Sequence, residues 1–364
     1  MMVKLFKSIA VLSACLAALL SPLHAKGAKP LFRDDSILKI RIEAPFSKIK
    51  ASSARSTDPY PAILYLDGEA PERHVIELSA RGNSRRDKNT CTFAPLRVAF
   101  SEKPVDSSLF DGQKRLKLVT HCKSSKSFQQ YYLLEYTAYK LFNVITPISL
   151  KVRLAEIDYI NSKNGKTIIT RYGFFIEDAD DTAKRNKLKE LDVADARLSQ
   201  LDTQAAARYA LFQYMIGNLD WAMHDAVAGK DCCHNTKLLG PTKDASSGII
   251  PLPYDFDYSG LVDTPYAVPP LRIPIRSVTT RRYRGYCVHN DAVRETANRF
   301  NQNRDALYQA IAQTPALNEN KRATAMQYLD RFFDVITDPV KMEKRLFSNC
   351  RGKPAQDLAP ADGR

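Results

Sequence analysis

The sequence predicts an α+β protein in two parts, a strand-rich first half and a helix-rich second half divided near residues 178–180. Two observations carry this reading. Short runs of alternating or apolar residues, separated by Gly, Pro and Asp, continue as far as residue 176, and beyond residue 182 apolar side chains recur at helical spacing. A third observation, an apolar leader followed by six cysteines, places the folded chain in an oxidising compartment.

The leader comes first. Met1-Met2-Val3-Lys4-Leu5-Phe6-Lys7 is basic, residues 8–20 are apolar, and Ser21-Pro22-Leu23-His24-Ala25 supplies a small residue for cleavage. That is the layout of a secretory signal, so residues 1–25 are expected to be a signal peptide. Lipid attachment at Cys15 is the rival reading. No later stretch approaches the roughly 20 apolar residues of a membrane helix, and the expectation is an exported protein, periplasmic or secreted, with no transmembrane segment.

Residues 26–178 should form the strand-rich part. Ile37-Leu38-Lys39-Ile40-Arg41-Ile42 alternates and reads as a strand, and the polar stretch after it, with Pro59 and Pro61, reads as a loop. Further strands are expected at 62–66, 74–78, 96–100 and 115–119, mostly antiparallel. Over 128–142, Tyr132, Leu133, Tyr136 and Leu141 mark an amphipathic helix packed on the sheet. Strands at 151–160 and 167–176 follow, joined by the turn Asn161-Ser162-Lys163-Asn164-Gly165. Residues 179–350 should be helical, with a charged segment at 182–195 and helices at 203–216, 290–313 and 319–336. The Pro/Ala/Asp-rich residues 351–364 read as a disordered tail.

Composition narrows the partners. The net charge is +14, from 54 Lys and Arg against 40 Asp and Glu. Such a balance favours nucleotides, phosphorylated glycans or acidic proteins. No nucleic-acid motif accompanies it, which speaks against specific nucleic-acid binding. Cys91, Cys122, Cys232, Cys233, Cys287 and Cys350 are an even set and read as disulfides, Cys91 with Cys122 and the other four among themselves. Metal ligation helped by His121 or His234, each beside a cysteine, is the alternative, although no zinc-type spacing occurs.

The zincin HExxH, the phosphate-cradling GxxxxGK and the nucleophile-elbow GxSxG are all absent. Three other segments concentrate polar groups among apolar ones. Arg81-Gly82-Asn83-Ser84-Arg85-Arg86 offers glycine, small polar groups and arginines, suited to phosphate oxygens or equally to a solvated basic turn. In Gly217-Asn218-Leu219-Asp220-Trp221 an acid stands at a helix end, as a base or as a capping acid. In Pro253-Tyr254-Asp255-Phe256-Asp257, strand alternation would put both acids on one face, able to share a divalent ion or an arginine. Arg281-Arg282-Tyr283-Arg284-Gly285-Tyr286-Cys287 could line an acceptor site or be an exposed basic loop.

Taken in order, these pieces resemble the spore-coat CotH kinase family. The resemblance runs through Arg81-Gly82-Asn83-Ser84, Lys114-Arg115-Leu116-Lys117-Leu118-Val119, Leu134-Glu135 and Tyr172-Gly173-Phe174-Phe175-Ile176-Glu177. It continues through Gly217-Asn218-Leu219-Asp220-Trp221, Asn235-Thr236-Lys237-Leu238-Leu239 and Pro253-Tyr254-Asp255-Phe256-Asp257, covering roughly residues 75–260. It implies a two-lobed, atypical protein-kinase-like fold with a nucleotide between the lobes. Arg81, Asn83, Lys117, Glu135 and Glu177 would then bind the cofactor, with Lys117 on phosphate, Glu135 its helix partner and Glu177 near the hinge. Asp220 would be the catalytic acid/base, and Asn235 and Asp255 would hold Mg²⁺, with Asp225 the substitute for Asn235. The implied activity is metal-dependent phosphoryl transfer, from ATP or another phosphate donor, to a protein hydroxyl or an envelope component. The family pattern is interrupted between Asp220 and Asn235 by a segment carrying Cys232-Cys233, and after the RGNS turn by Cys91. A non-catalytic envelope protein recognising anionic polymers is the alternative.

Overall fold

The structure, a computed structural model, describes residues 27–225, 232–271 and 273–352; the expected signal peptide and all but the first residues of the expected tail lie outside them. The strand-rich half holds β1 (Leu38–Ala44), α1 (Phe46–Ser52), β2 (Tyr60–Asp67), β3 (Glu72–Ala80), β4 (Leu96–Phe100), β5 (Arg115–Val119), α2 (Gln129–Ile145), β6 (Val152–Asn161) and β7 (Thr167–Ile176). Alternation dictates these strands. In β1, Leu38, Ile40, Ile42 and Ala44 are buried while the residues between them reach solvent wholly or in part.

The seven strands close into a barrel in the order β1-β2-β3-β4-β5-β7-β6, with β6 returning to β1. All pairings are antiparallel except that last one, where Leu38 lies opposite Ala155 and Ala44 opposite Asn161 in parallel register. Inward-facing Ile40, Leu64, Ile76, Leu96, Leu118, Ile157 and Phe175 fill the interior, as expected of a small barrel plugged by its own side chains. This closure overturns the two-lobed kinase-like fold that the family resemblance implies: the strands form a closed seven-stranded barrel, not an open sheet in a separate lobe. The α+β class stands.

The second half adds α3 (Ala179–Arg185), β8 (Lys189–Glu190), α4 (Thr203–Ile216), β9 (Thr236–Gly240), β10 (Ile250–Pro253), α5 (Asn290–Gln302), α6 (Arg304–Ala312), α7 (Glu319–Ile336) and α8 (Pro339–Arg345). Strands β10, β9 and β8 make a small second sheet. Helix α4 is capped by Asp202, whose carboxylate accepts from Ala205 N–H at 2.7 Å, and is buried nearly all round. It forms the axis on which the other helices and α2 pack in one continuous apolar cluster. The expected single helix over 290–313 is two, broken at Asn303, and the loop after β1 contains α1.

Cys91–Cys122 and Cys287–Cys350 are disulfide-bonded, and the sulfurs of the consecutive Cys232 and Cys233 are bonded to each other. The four cysteines of the Cys91–Cys122 and Cys287–Cys350 bridges are therefore not metal ligands. Among the described residues no helix is long and apolar enough to cross a membrane.

Candidate active site

Strand pairing builds the site. Because β9 and β10 pair with Thr236 opposite Pro253, the residue just before β9, Asn235, lies beside the residues just after β10. Tyr254 N–H donates to Asn235 O at 3.1 Å. Both Asn235 (φ 52°) and Asp255 (φ 65°) sit in the left-handed region, which Asn and Asp enter more readily than other side-chain-bearing residues. The Tyr139 hydroxyl on α2 accepts from Asp255 N–H at 2.9 Å and helps fix that backbone. Such backbone outliers collect at functional sites.

Asp220 joins them from the end of α4. Gly217 terminates that helix at φ 65°, and the Asn218 side chain accepts from Asp220 N–H at 3.0 Å, turning the acid outward. Asn235 Nδ2 donates to the Asp220 backbone oxygen at 2.8 Å and to Oδ2 at 3.0 Å, while His234 Nε2 lies 2.7 Å from Oδ1. The two residues thus meet despite the interruption between them in sequence.

Cations face these acids from the barrel. The turn after β3 carries Arg81 and Arg85. Arg85 Nη1 donates to Glu135 of α2 at 3.3 Å and Nη2 to Thr120 O at 3.1 Å. Burial alone would lower the Arg85 guanidinium, but Tyr266, Glu135, Asp257 and Asp255 around it raise it on balance. Burial pushes the Glu135 carboxyl up even against the opposing pull of Arg85. The guanidinium is charged in either case, because arginine does not lose its proton in proteins. Burial likewise lowers Arg81, with Asp255 its foremost counter-charge, and Arg81 Nε is a buried donor with no protein partner among the described residues. Asp257, buried and accepting from the Tyr266 hydroxyl at 2.9 Å, is pushed up by burial and then by Asp255.

Lys117, on β5, has its ammonium 5.2 Å from the Tyr254 ring centre. Burial first and Arg81 second push it down to about 8. It borders a pocket of about 240 Å³ shared with Arg97, Arg115, Lys237, Asp178 and Glu190. That volume suits a phosphate chain better than a whole drug-sized ligand, whose sites run to roughly 300–1,000 Å³. A larger concavity of about 740 Å³ adjoins this pocket, sharing Arg115, Asp178 and Glu190, and two others lie at the opposite end of β3, where some of the polar side chains are already engaged. Glu72, for instance, holds His74 at 2.7 Å, Ser108 at 2.5 Å and Leu109 N–H at 2.7 Å.

Several expectations are corrected. Glu135 pairs with Arg85, not Lys117. Asp255 and Asp257 do not share a strand face, since β10 ends at Pro253 and Asp255 is left-handed. Glu177 follows Ile176, the residue opposite Lys117, but its buried carboxylate is taken by Arg185 at 2.9 Å, Thr182 at 2.8 Å and Lys151 N–H at 2.9 Å. Asn83 is exposed at the lip of the turn, with no capping bond from its side chain. Asp225 lies apart beside Tyr286 and Arg351, at 3.4 and 3.7 Å. Tyr139 and Tyr266 were not marked as site residues by sequence, and His234 was marked only as a metal ligand beside Cys233, not as a partner of Asp220. The i, i+4 spacing of Glu135 and Tyr139 on α2 was the available signal.

Among the described residues no three His, Cys, Asp or Glu side chains cluster as a preformed metal cage. The donor set fits Mg²⁺ in a leaner way. Asn235 spends its amide nitrogen on Asp220, which leaves Oδ1 as its atom able to ligate, with the Asp255 carboxylate as the second oxygen donor, and Mg²⁺ typically takes one or two protein oxygens with phosphates and waters completing its shell. A scan against models of known protein families matches none of them, and a search of curated proteins finds no significant match.

Proposed function

We propose that this protein is a metal-dependent phosphotransferase, exported from the cell, that moves a phosphoryl group from a nucleoside triphosphate or similar donor to a hydroxyl of a protein or envelope component. The observation that carries the reading is the convergence of Asp220, Asn235 and Asp255, from three separated segments, with Arg81 facing Asp255 and Lys117 next to Arg81. Phosphoryl transfer asks for little covalent chemistry and much positioning, namely an oriented hydroxyl and neutralised phosphate charge.

Arg81 and Lys117 would take the donor's phosphate oxygens. Asp255 and Asn235 Oδ1 would hold Mg²⁺, which when bound supplies charge neutralisation to those phosphates. Asp220 would accept the proton of the acceptor hydroxyl as its oxygen bonds to phosphorus and the donor's bridging P–O bond breaks, releasing the diphosphate. His234, on Oδ1 of Asp220 and well exposed, offers that proton a way to solvent.

Thermal melting of the chain from residue 26, with and without Mg²⁺ and ATP, tests the reading, since a ligand bound only by the folded state raises the melting point. A rise that needs both ligands and disappears in Asp255→Ala is expected. No rise at millimolar concentrations would remove the nucleotide site, and retention on anionic polymer that salt abolishes would favour a binding protein instead.

A further inference from the structure

The arginine-rich segment after residue 280 is neither an exposed basic loop throughout nor an acceptor-lining strip. Arg282 is exposed, but Arg281 and Arg284 turn inward and spend their guanidinium groups on backbone oxygens. Arg281 donates to Tyr214 O at 3.0 Å, to Met215 O at 2.9 Å and to Tyr328 O at 2.5 Å, and lies 3.6 Å from the Tyr328 ring centre, so it ties down the last turn of α4. Arg284 Nη1 donates to Leu219 O at 2.5 Å and to Trp221 O at 3.0 Å, and its guanidinium stacks 4.7 Å from the Trp221 ring centre.

Leu219 and Trp221 are the two neighbours of Asp220. One guanidinium nitrogen therefore holds the carbonyls on both sides of the acid, while Asn235 and His234 hold its carboxylate. Other bonds shape the turn from Gly217 to Trp221: Asn218 N–H donates to Gln213 O at 2.9 Å, Asn218 Oδ1 accepts from Asp220 N–H, Trp221 Nε1 donates to Asn218 O at 2.9 Å, Gly260 N–H donates to Gly217 O at 3.1 Å and Asn235 Nδ2 donates to Asp220 O at 2.8 Å. Arg284 is the group that takes the carbonyls of both neighbours of the acid. Arg284 is itself anchored. Arg351 N–H donates to Gly285 O at 2.8 Å, Cys287 N–H donates to Arg351 O at 2.9 Å, and the Cys287–Cys350 bridge locks the two segments together.

We propose that Arg284 is the positioning residue for Asp220, setting the direction of its carboxylate by clamping the carbonyls on either side. This rests on the reading of Asp220 as the proton acceptor. A planar fork fixed by stacking does this where a flexible ammonium does not, so Arg284→Lys keeps the charge and loses the geometry.

Two measurements on the folded chain test it. Turnover with Mg²⁺ and ATP should fall about 100-fold in R284K, the scale of a misplacement of about 1 Å, while the ligand-induced rise in melting temperature persists. Independently, the backbone amide resonances of Leu219, Asp220 and Trp221, followed by NMR at a single pH, should move in R284K and stay in place in R282Q, because the turn around the acid is no longer held. Turnover within about two-fold of the parent, with those resonances unmoved, would overturn the proposal. If R284K does not fold, R284Q is read against R282Q, which removes the same charge from an exposed neighbour; equal turnover in the two overturns it equally. If the parent chain transfers no phosphate at all, the phosphotransferase reading falls, and the amide resonances still decide what Arg284 does.

Discussion

At Lys117 a buried ammonium has a thermodynamic signature. In the unfolded chain this lysine keeps its proton up to its ordinary value of 10.5, whereas in the fold it gives the proton up at about 8. Between those values the unfolded state binds more protons, so this residue makes stability rise with pH across that window, and below about pH 8 its full cost is present. Lys117→Met is therefore expected to be more stable than the parent at pH 7, with the advantage shrinking as pH climbs from 8 to 10.5, read by urea unfolding at several pH values. The same variant should lose the Mg²⁺- and ATP-dependent rise in melting temperature, since it removes a phosphate partner. Asp220→Asn is expected to do the reverse, leaving melting and ligand response nearly intact while turnover drops by about 10²-fold or more. Equal turnover in that variant would exclude Asp220 as the base.

Among the elements, the turn at the end of α4 is the most constrained. Gly217 is left-handed, and a Cβ there would overlap the Tyr328 hydroxyl. Gly217→Ala should cost about 3 kcal/mol in chemical denaturation, more than an ordinary surface change. Most elements were legible because each carries its own period. Alternation located β1 to β7, and the apolar spacing of α4 and α7 matched their observed bounds. What escaped was decided by contacts remote in sequence. Helix α1 sits in a polar stretch held by Phe46 and Ile49 buried under the barrel, and α5 and α6 separate at Asn303 although both keep their apolar faces inward. The site was half legible. Asp220 and Asp255 stood out as polar residues in apolar surroundings and Asn235 entered only through the family resemblance, but the partner of Glu135 depends on where the turn after β3 folds back, which no local pattern reveals.

At the scale of the molecule, the disulfides bind distant segments. Cys91–Cys122 and Cys287–Cys350 close loops of 31 and 63 residues, and restricting the unfolded chain over such spans stabilises by about 4 kcal/mol each in the loop-entropy picture. Replacing Cys287 and Cys350 with alanine should lower the melting temperature and, because that bridge anchors the segment of Arg284, reduce turnover by more than the equivalent change at Cys91 and Cys122. Similar losses in both double variants would separate the anchor from the site. The barrel was invisible in sequence because its closing contact is the parallel meeting of β1 and β6, and a strand's alternation names its faces without naming its neighbour. That seam also has a kinetic meaning. The first strand to emerge waits with one edge unpaired until the chain has grown past Asn161, so contact order is high and closure should be slow compared with the helical half. The open edge of β1 is meanwhile a template for another chain, and a protein crossing a membrane before folding would need a chaperone on the far side to shield it.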